Sequence, residues 1–295
     1  MEKVNLFIVG AGKSGTTALA NQLSTLDEVF LPRKKEPQFF AMYDDEKWAE
    51  VDHFGSTYIQ DSDCYKDLYK AHQNEKYVVD ASTTYLHRAG TAKRIHDYNS
   101  NAKIIMLLRN PVDRAYSHYL MSRRVGHTRS DFLSAIENEY LETGTGVSYY
   151  IGIGLYAKQV EEYLHVFPEA NIKIILYEDY SNDIVGTFKD LLSFLEIDNS
   201  CENYDFLTAR HNKTLLPRNQ IVSSLANNKR LTKLARQILG TRAYNRITNA
   251  LYTNRNVRII TLEEREQCLS YFYEDIKRLE GILKRDLSHW YTLKQ

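Results

Sequence analysis

Between Gly10 and Thr17 the chain reads Gly-Ala-Gly-Lys-Ser-Gly-Thr-Thr, which places three glycines, one lysine and three hydroxyl residues in eight positions. Gly12 and Gly15 would let backbone N–H groups close on an anion, and Ser14, Thr16 and Thr17 add hydroxyl donors. Lys13 adds a mobile point charge beside them. A helix opening near Thr16 would aim its positive end at the same place. The string Gly12-Lys13-Ser14 also suggests a nucleoside-triphosphate loop, but that pattern needs a glycine five positions before Gly12. Phe7 stands there. A Gly-rich turn that binds nothing is the plainer alternative, and the lysine and three hydroxyls in one turn weigh against it.

Two further clusters carry chemistry. Arg109-Asn-Pro-Val-Asp-Arg-Ala-Tyr-Ser117 sets a guanidinium at the end of an apolar run and a hydroxyl along the following helix, a pair that could grip one phosphate from two sides. Pro32-Arg-Lys-Lys35-Glu36-Pro37-Gln38-Phe39-Phe40 offers a carboxylate, Glu36, that could take a proton from a substrate within hydrogen-bond reach. Its neighbours Lys34 and Lys35 would lower its pKa, and burial near Phe39 and Phe40 would raise it. Taken singly, Arg109 reads equally as a structural ion-pair partner and Glu36 as a surface carboxylate.

These residues need a scaffold that brings chain positions far apart to one edge. Leu6–Val9 is a short apolar run that predicts a buried parallel strand. Thr16–Leu26 carries Ala18, Leu19 and Leu23 at helical spacing. Strand, glycine loop and helix open a nucleotide-binding α/β fold. Tyr77–Val79, Lys103–Leu108 and Ile172–Leu176 predict further strands. Helices are expected from Pro111 to about Leu120, over Ala157–Phe167 and over Phe188–Leu195. The chain then turns polar and basic, with helices expected near Ile221–Leu239 and Leu262–Leu283. The whole predicts an α/β fold: a P-loop-like parallel sheet flanked by helices, a single domain over 1–295 with a helical C-terminal portion.

With two motifs in this order, each after a predicted strand, the chain resembles the sulfotransferase family that uses 3′-phosphoadenosine-5′-phosphosulfate (PAPS). Lys13-Ser-Gly-Thr-Thr17 resembles the family's 5′-phosphosulfate loop, and Leu108–Tyr119 its 3′-phosphate segment. The resemblance implies PAPS as co-substrate, adenosine 3′,5′-bisphosphate (PAP) as product, and no metal. It implies donor binding by Gly12, Lys13, Ser14, Gly15, Thr16, Thr17, Arg109 and Ser117. Glu36-Pro-Gln-Phe-Phe40 resembles the segment of glycan-acting members whose glutamate is the general base. The implied catalytic residues are therefore Glu36 and Lys13, the latter stabilising the leaving phosphate during in-line transfer. Some glycan-acting members carry a catalytic lysine where Ala81 stands here, so Lys13 acts alone, Lys34 or Lys35 substitutes, or the acceptor differs. Asp80 and Ser82 fall in a segment near the acceptor, where a capping role is equally open. His211–Arg218 falls where the family closes a basic loop on the 3′-phosphate, with Lys213 and Arg218 as candidates. The acceptor implied is a hydroxyl or amine of a glycan, glycolipid or small molecule.

Composition narrows the partners. Formal net charge is zero, which gives nucleic acid no support as a partner. From Phe206 to Leu262 there is no acidic residue, while eleven basic ones lie between Arg210 and Arg258. Such a run could meet an anionic acceptor or a membrane surface, or be a solvated helical face. Cys64, Cys201 and Cys268 form neither CxxC pairs nor a disulfide framework. The apolar run at the N-terminus is short for a signal peptide, and a soluble cytoplasmic protein is expected. Two rival readings stay open on the residues alone: a P-loop kinase or nucleotide hydrolase, and a non-catalytic anion-binding module.

Overall fold

The computed structural model describes residues 3–41, 58–143, 149–198, 204–208, 216–217, 240, 252–253 and 258–292. Its centre is a sheet of five parallel strands: β1 (Leu6–Gly10), β2 (Val29–Phe30), β3 (Tyr77–Ala81), β4 (Lys103–Leu108) and β5 (Ile172–Leu176). Their order is β2-β3-β1-β4-β5. Every neighbouring pair runs parallel, with Leu6 beside both Val79 and Lys103 and Ile104 beside Ile172. Parallel strands need both faces covered, and the sequence meets that need: β1 is buried throughout and β4 everywhere but at Lys103.

Successive side chains point to opposite faces, so each strand feeds two cores. Phe7, Val9, Ile104, Met106 and Leu108 face one cluster, whereas Leu6, Ile8, Ile105 and Leu107 face the other. The second is covered by α1 (Thr16–Leu23) and by α8 (Ile184–Phe194), which follows α7 (Tyr177–Asn182). Helices α2 (Ser62–Asp67), α3 (Thr91–Tyr98), α4 (Pro111–Val125), α5 (Phe132–Thr143) and α6 (Tyr156–Val166) precede β5 in the chain. Together with α9 (Leu262–Leu269), α10 (Tyr273–Leu283) and α11 (Ser288–Tyr291), they bring buried residues to the first cluster. Away from the sheet, Leu216–Pro217 pairs antiparallel with Tyr252–Thr253.

Helix α4 shows how local sequence sets the framework. The Asn110 side chain caps it by accepting from the amides of Val112 and Asp113, Pro111 takes the first helical position, and Asp113 lies in the first turn. Arg123 and Arg124 occupy the last turn, and Gly126 at φ 78° ends the helix in the left-handed conformation. The helix thus runs five residues past Leu120, where the apolar pattern alone would stop it. Asn110 Nδ2 also donates to the Trp290 carbonyl at 3.0 Å, tying the chain's last helix to the end of β4.

Two expectations change. The helix after the glycine loop ends at Leu23 rather than Leu26. The helix expected over Leu262–Leu283 is two, α9 and α10, broken around Tyr271 and Phe272. Phe272 is fully buried against Gly154, where an added Cβ would sit 2.8 Å from its ring, and burying that ring turns the chain. Helix α10 then lies along α6, where Asp275 accepts from the Ala157 amide and Arg278 pairs with Glu161. The helix expected near Ile221–Leu239 lies outside the described residues.

Asn110→Ala should cost about 2 kcal/mol, from a lost cap and a lost buried hydrogen bond. Urea unfolding should show a lower midpoint at unchanged slope, and an unchanged midpoint would contradict the role given to this residue.

Candidate active site

The carboxyl ends of all five strands deliver loops to one edge, where ligands bind in open parallel sheets. The loop after β1 is fastened by the Ala11 amide, which donates to the Leu107 carbonyl of β4 at 2.8 Å. Lys13 (φ 74°) and Gly15 (φ 95°) both adopt left-handed backbone. Gly15 is the N-cap of α1 and offers no side-chain cap, so the first amides of the helix stay available to an anion. The side chains of this loop divide. Ser14 is fully buried, its hydroxyl without a hydrogen-bond partner among the described residues, and Thr16 is buried too. Gly12, Lys13 and Thr17 are only partly covered.

Left-handed backbone in a residue other than glycine costs about 1–2 kcal/mol. Among the described residues five adopt it: Lys13, Glu36, Gln38, Glu196 and Lys284. The last two follow directly on α8 and α10 and serve as ordinary helix ends. The other three stand in the two segments that sequence singled out for chemistry, which is where such strain concentrates.

Lys13 sits among cations. Its Nζ lies 3.6 Å from Met121 Sδ, and no carboxylate is paired with it among the described residues. Burial lowers its pKa to about 8, with Arg114, Arg109 and Arg124 adding to the effect and Glu36 opposing it. Arg109, at the end of β4, donates from Nη1 to the Lys13 carbonyl at 3.2 Å. Its guanidinium lies 4.6 Å above the Tyr177 ring, at the start of α7. Its Nε is buried without a partner among the described residues.

Sequence reasoning gave Arg114 no role. It is fully buried, donating from Nη2 to the carbonyls of Tyr149 and Tyr150, with Nη1 3.3 Å from His118 Nδ1. The four-residue spacing of Arg114 and His118 on a helix was the available signal. Burial and the Arg114 charge push the His118 imidazolium well below its usual range, so His118 is a neutral neighbour. Ser117 is partly exposed on α4, and no hydrogen bond joins it to Arg109 among the described residues. Lys213 and Arg218 lie outside the described residues, but the short strand Leu216–Pro217 between them contacts α4, the helix that bears Ser117.

Glu36 reaches this edge from the loop after β2. Its amide donates to the Ala81 carbonyl at 3.1 Å, where β3 ends. Its Oε2 accepts from Thr83 Oγ1 at 3.3 Å, and its Oε1 lies 3.4 Å from Lys35 Nζ. The same Nζ donates to Thr17 Oγ1 at 2.5 Å, so one ammonium bridges the carboxylate and the phosphate-type loop. Burial lowers the Lys35 pKa, and Glu36 counteracts that. Asp80 and Ser82 are fully buried beneath the segment. The structure thus joins Lys13 to Arg109 and Glu36 to Lys35, Thr17 and Thr83.

No helix among the described residues is long and apolar enough to cross a membrane. Comparison with known proteins bears on the family. A membrane-associated sulfotransferase, kil1, of Dictyostelium discoideum is 32% identical over 120 residues, covering 40% of this chain and 23% of that protein. Human carbohydrate sulfotransferase 15 is 24% identical over 266 residues, covering 70% of this chain and 46% of its own. The chain therefore spans less than half the length of these relatives. A crystal structure of a sulfotransferase from Alicyclobacillus acidocaldarius superposes with a TM-score of 0.72 at 28% identity, covering 99% of this chain and 100% of that one. The model of the sulfotransferase domain matches residues 3–227, and the chain belongs to that family.

Proposed function

We propose that this protein transfers a sulfuryl group from PAPS to a hydroxyl or amine of a carbohydrate-containing acceptor, with Glu36 as general base and Lys13 at the leaving phosphate. The observation that carries the reading is the Lys35 bridge, which brings the base segment and the phosphate-type loop into one site. The residues fit a bound nucleotide anion: among the described residues Lys13 has no paired carboxylate and Arg109 Nε is buried without a partner, and Gly15 leaves the first amides of α1 uncapped. Bound there, PAPS supplies a sulfuryl group carried on a phosphate oxygen.

Lys13 places its charge where negative charge builds on that oxygen as the bond breaks. Glu36 takes the acceptor's proton while the acceptor oxygen or nitrogen bonds to sulfur. Lys35, held against both Thr17 and Glu36, is the second cation of the site and fills the gap left by Ala81. Arg109 holds the loop through the Lys13 carbonyl and has donors left for a phosphate. A nucleoside-triphosphate loop is disfavoured because Phe7, where it needs glycine, is a fully buried residue of β1. The carbohydrate acceptor is supported by the likeness to carbohydrate sulfotransferase 15. The basic run over 210–258 supports an acceptor that is anionic or carried on a membrane surface.

Transfer of radiolabelled sulfate from PAPS to desulfated chondroitin, rich in hydroxyls, and to N-deacetylated heparosan, rich in amines, tests the reading. Glu36→Gln should lower kcat by about 100-fold or more while leaving PAP affinity unchanged. Full turnover by that variant would refute the base. Arg109→Ala should weaken PAP binding by about 10- to 100-fold, through lost charge-assisted bonds. Equal affinity by calorimetry would refute the phosphate contact.

The pH dependence of binding follows from Lys13. Its protonated form pairs with the anion, and half of it is lost near pH 8 in the free protein. PAP affinity should therefore fall as pH rises through about 8, and Lys13→Ala should bind weakly with that slope removed. A slope unchanged in the variant would assign the titration to another group.

A further inference from the structure

Asp80, the fourth residue of β3, is wholly buried. No lysine or arginine is paired with it among the described residues. Three hydroxyls satisfy it instead: Tyr65 and Tyr85 donate to Oδ2 at 2.9 and 2.8 Å, and Ser82 donates to Oδ1 at 2.7 Å. An ionised carboxylate only accepts, so it fixes the direction of these hydroxyl hydrogens. The lone pairs of Ser82 and Tyr85 are thereby free to face elsewhere. Ser82 Oγ accepts from the Gln38 amide at 3.1 Å, and the Tyr85 hydroxyl accepts from the Phe40 amide at 3.3 Å. Both amides belong to the segment that holds Glu36 and Gln38 in left-handed backbone at φ 57° and 56°.

We propose that Asp80 is a positioning residue for Glu36: through Ser82 and Tyr85 its carboxylate holds the Gln38 and Phe40 amides and so fixes the strained segment that carries the base. The inference rests on the reading of Glu36 as the base. A strained segment persists only where its surroundings over-determine it, and these two bonds, with the Glu36 amide on Ala81, supply that determination. An asparagine at this position keeps one accepting oxygen; with that oxygen on the two tyrosines its amide nitrogen faces Ser82 and donates, so the Ser82 hydrogen lacks its acceptor in a closed site.

The arrangement costs stability, which makes the role separable from scaffolding. Burial raises the Asp80 pKa to about 6, with Glu36 adding to the rise and the three hydroxyls opposing it. The titratable groups facing it are Tyr65, Tyr69, Tyr85, Tyr98, Tyr163 and Glu36, and the tyrosines are all shifted upward and so stay neutral. A carboxyl group with a raised folded-state pKa contributes stability that is present below its unfolded value, near 4, and lost as pH rises through 6. At pH 8 the ionised Asp80 therefore burdens the fold, and a residue kept only for packing would not be charged.

Hydrogen exchange of peptides spanning 34–41, with thermal unfolding alongside, tests the proposal on the wild type and on Asp80→Asn, Ser82→Ala and Tyr85→Phe. At pH 8, Asp80→Asn should exchange the Gln38 and Phe40 amides about tenfold faster or more, with Tm equal to or above wild type. After correction for intrinsic rates, the wild type should approach the variant as pH falls through about 6, while the variant stays flat. Ser82→Ala should release Gln38 selectively, and Tyr85→Phe should release Phe40. With the glycan acceptors above, kcat of Asp80→Asn should fall about tenfold or more at a KM for PAPS within about twofold. Unchanged exchange at pH 8, or faster exchange spread through β3 with a lowered Tm, would overturn the proposal. Should Glu36→Gln keep full turnover while Asp80→Asn still loosens the segment, the base assignment fails and the positioning contact stands.

Discussion

Positive charge held out of water without carboxylate partners is the constraint on which this edge of the sheet depends. Lys13 and Arg114 sit close enough to depress the lysine, and among the described residues Arg114 meets two carbonyls and a neutral histidine, with its Nε left over. Burying like charges together is costly unless an anion completes the site. The surrounding structure accepts that cost in identifiable ways. A left-handed backbone at Lys13 and Gly15 gathers amides, a tyrosine ring lies under Arg109, and a methionine sulfur rather than a carboxylate meets Lys13. On the proposed reading, these features make the loop a receptor for negative charge.

The base segment answers the same constraint from the opposite side. Glu36 is the carboxylate whose field partly restores the Lys13 charge, yet it is not allowed to collapse onto Lys13. Lys35 and Thr83 hold its two oxygens, and Ala81 holds its amide. The carboxylate is thus fastened to β3, whereas the Lys13 carbonyl is fastened to Arg109 at the end of β4. The strand order β2-β3-β1-β4-β5 is what makes this possible, since it sets β1 between the strands that carry the two sets of contacts.

Much of the scaffold could be read from sequence because it rests on local signals. Lys103–Leu108 and Ile172–Leu176 are apolar runs bounded by turns, and their limits match the strands observed. Val29–Phe30 gives no such signal, since a two-residue edge strand is defined by pairing with Tyr77 and Val78. Helix α3 buries only Thr91, Ala92 and Ile95, too little apolar pattern to announce itself. The end of α4 was legible in Gly126 and the preceding arginines, which the apolar period ignores. At the site, Lys13, Arg109 and Glu36 stand out by residue type and spacing. Lys35 and Asp80 enter there only as candidates and Thr83 not at all, because their contacts join distant chain positions. Lys213 and Arg218 fall outside the described residues, so their place was legible only as a motif order.

The central claim is that the cradle at Gly10–Thr17 and Arg109 takes a nucleotide bearing a 3′-phosphate. Calorimetric titration with PAP, with AMP and ATP as controls and no magnesium, tests it most directly. The account predicts micromolar binding of PAP and much weaker binding of the other two. Binding of ATP that appears with magnesium, or no preference for the 3′-phosphate, would contradict it.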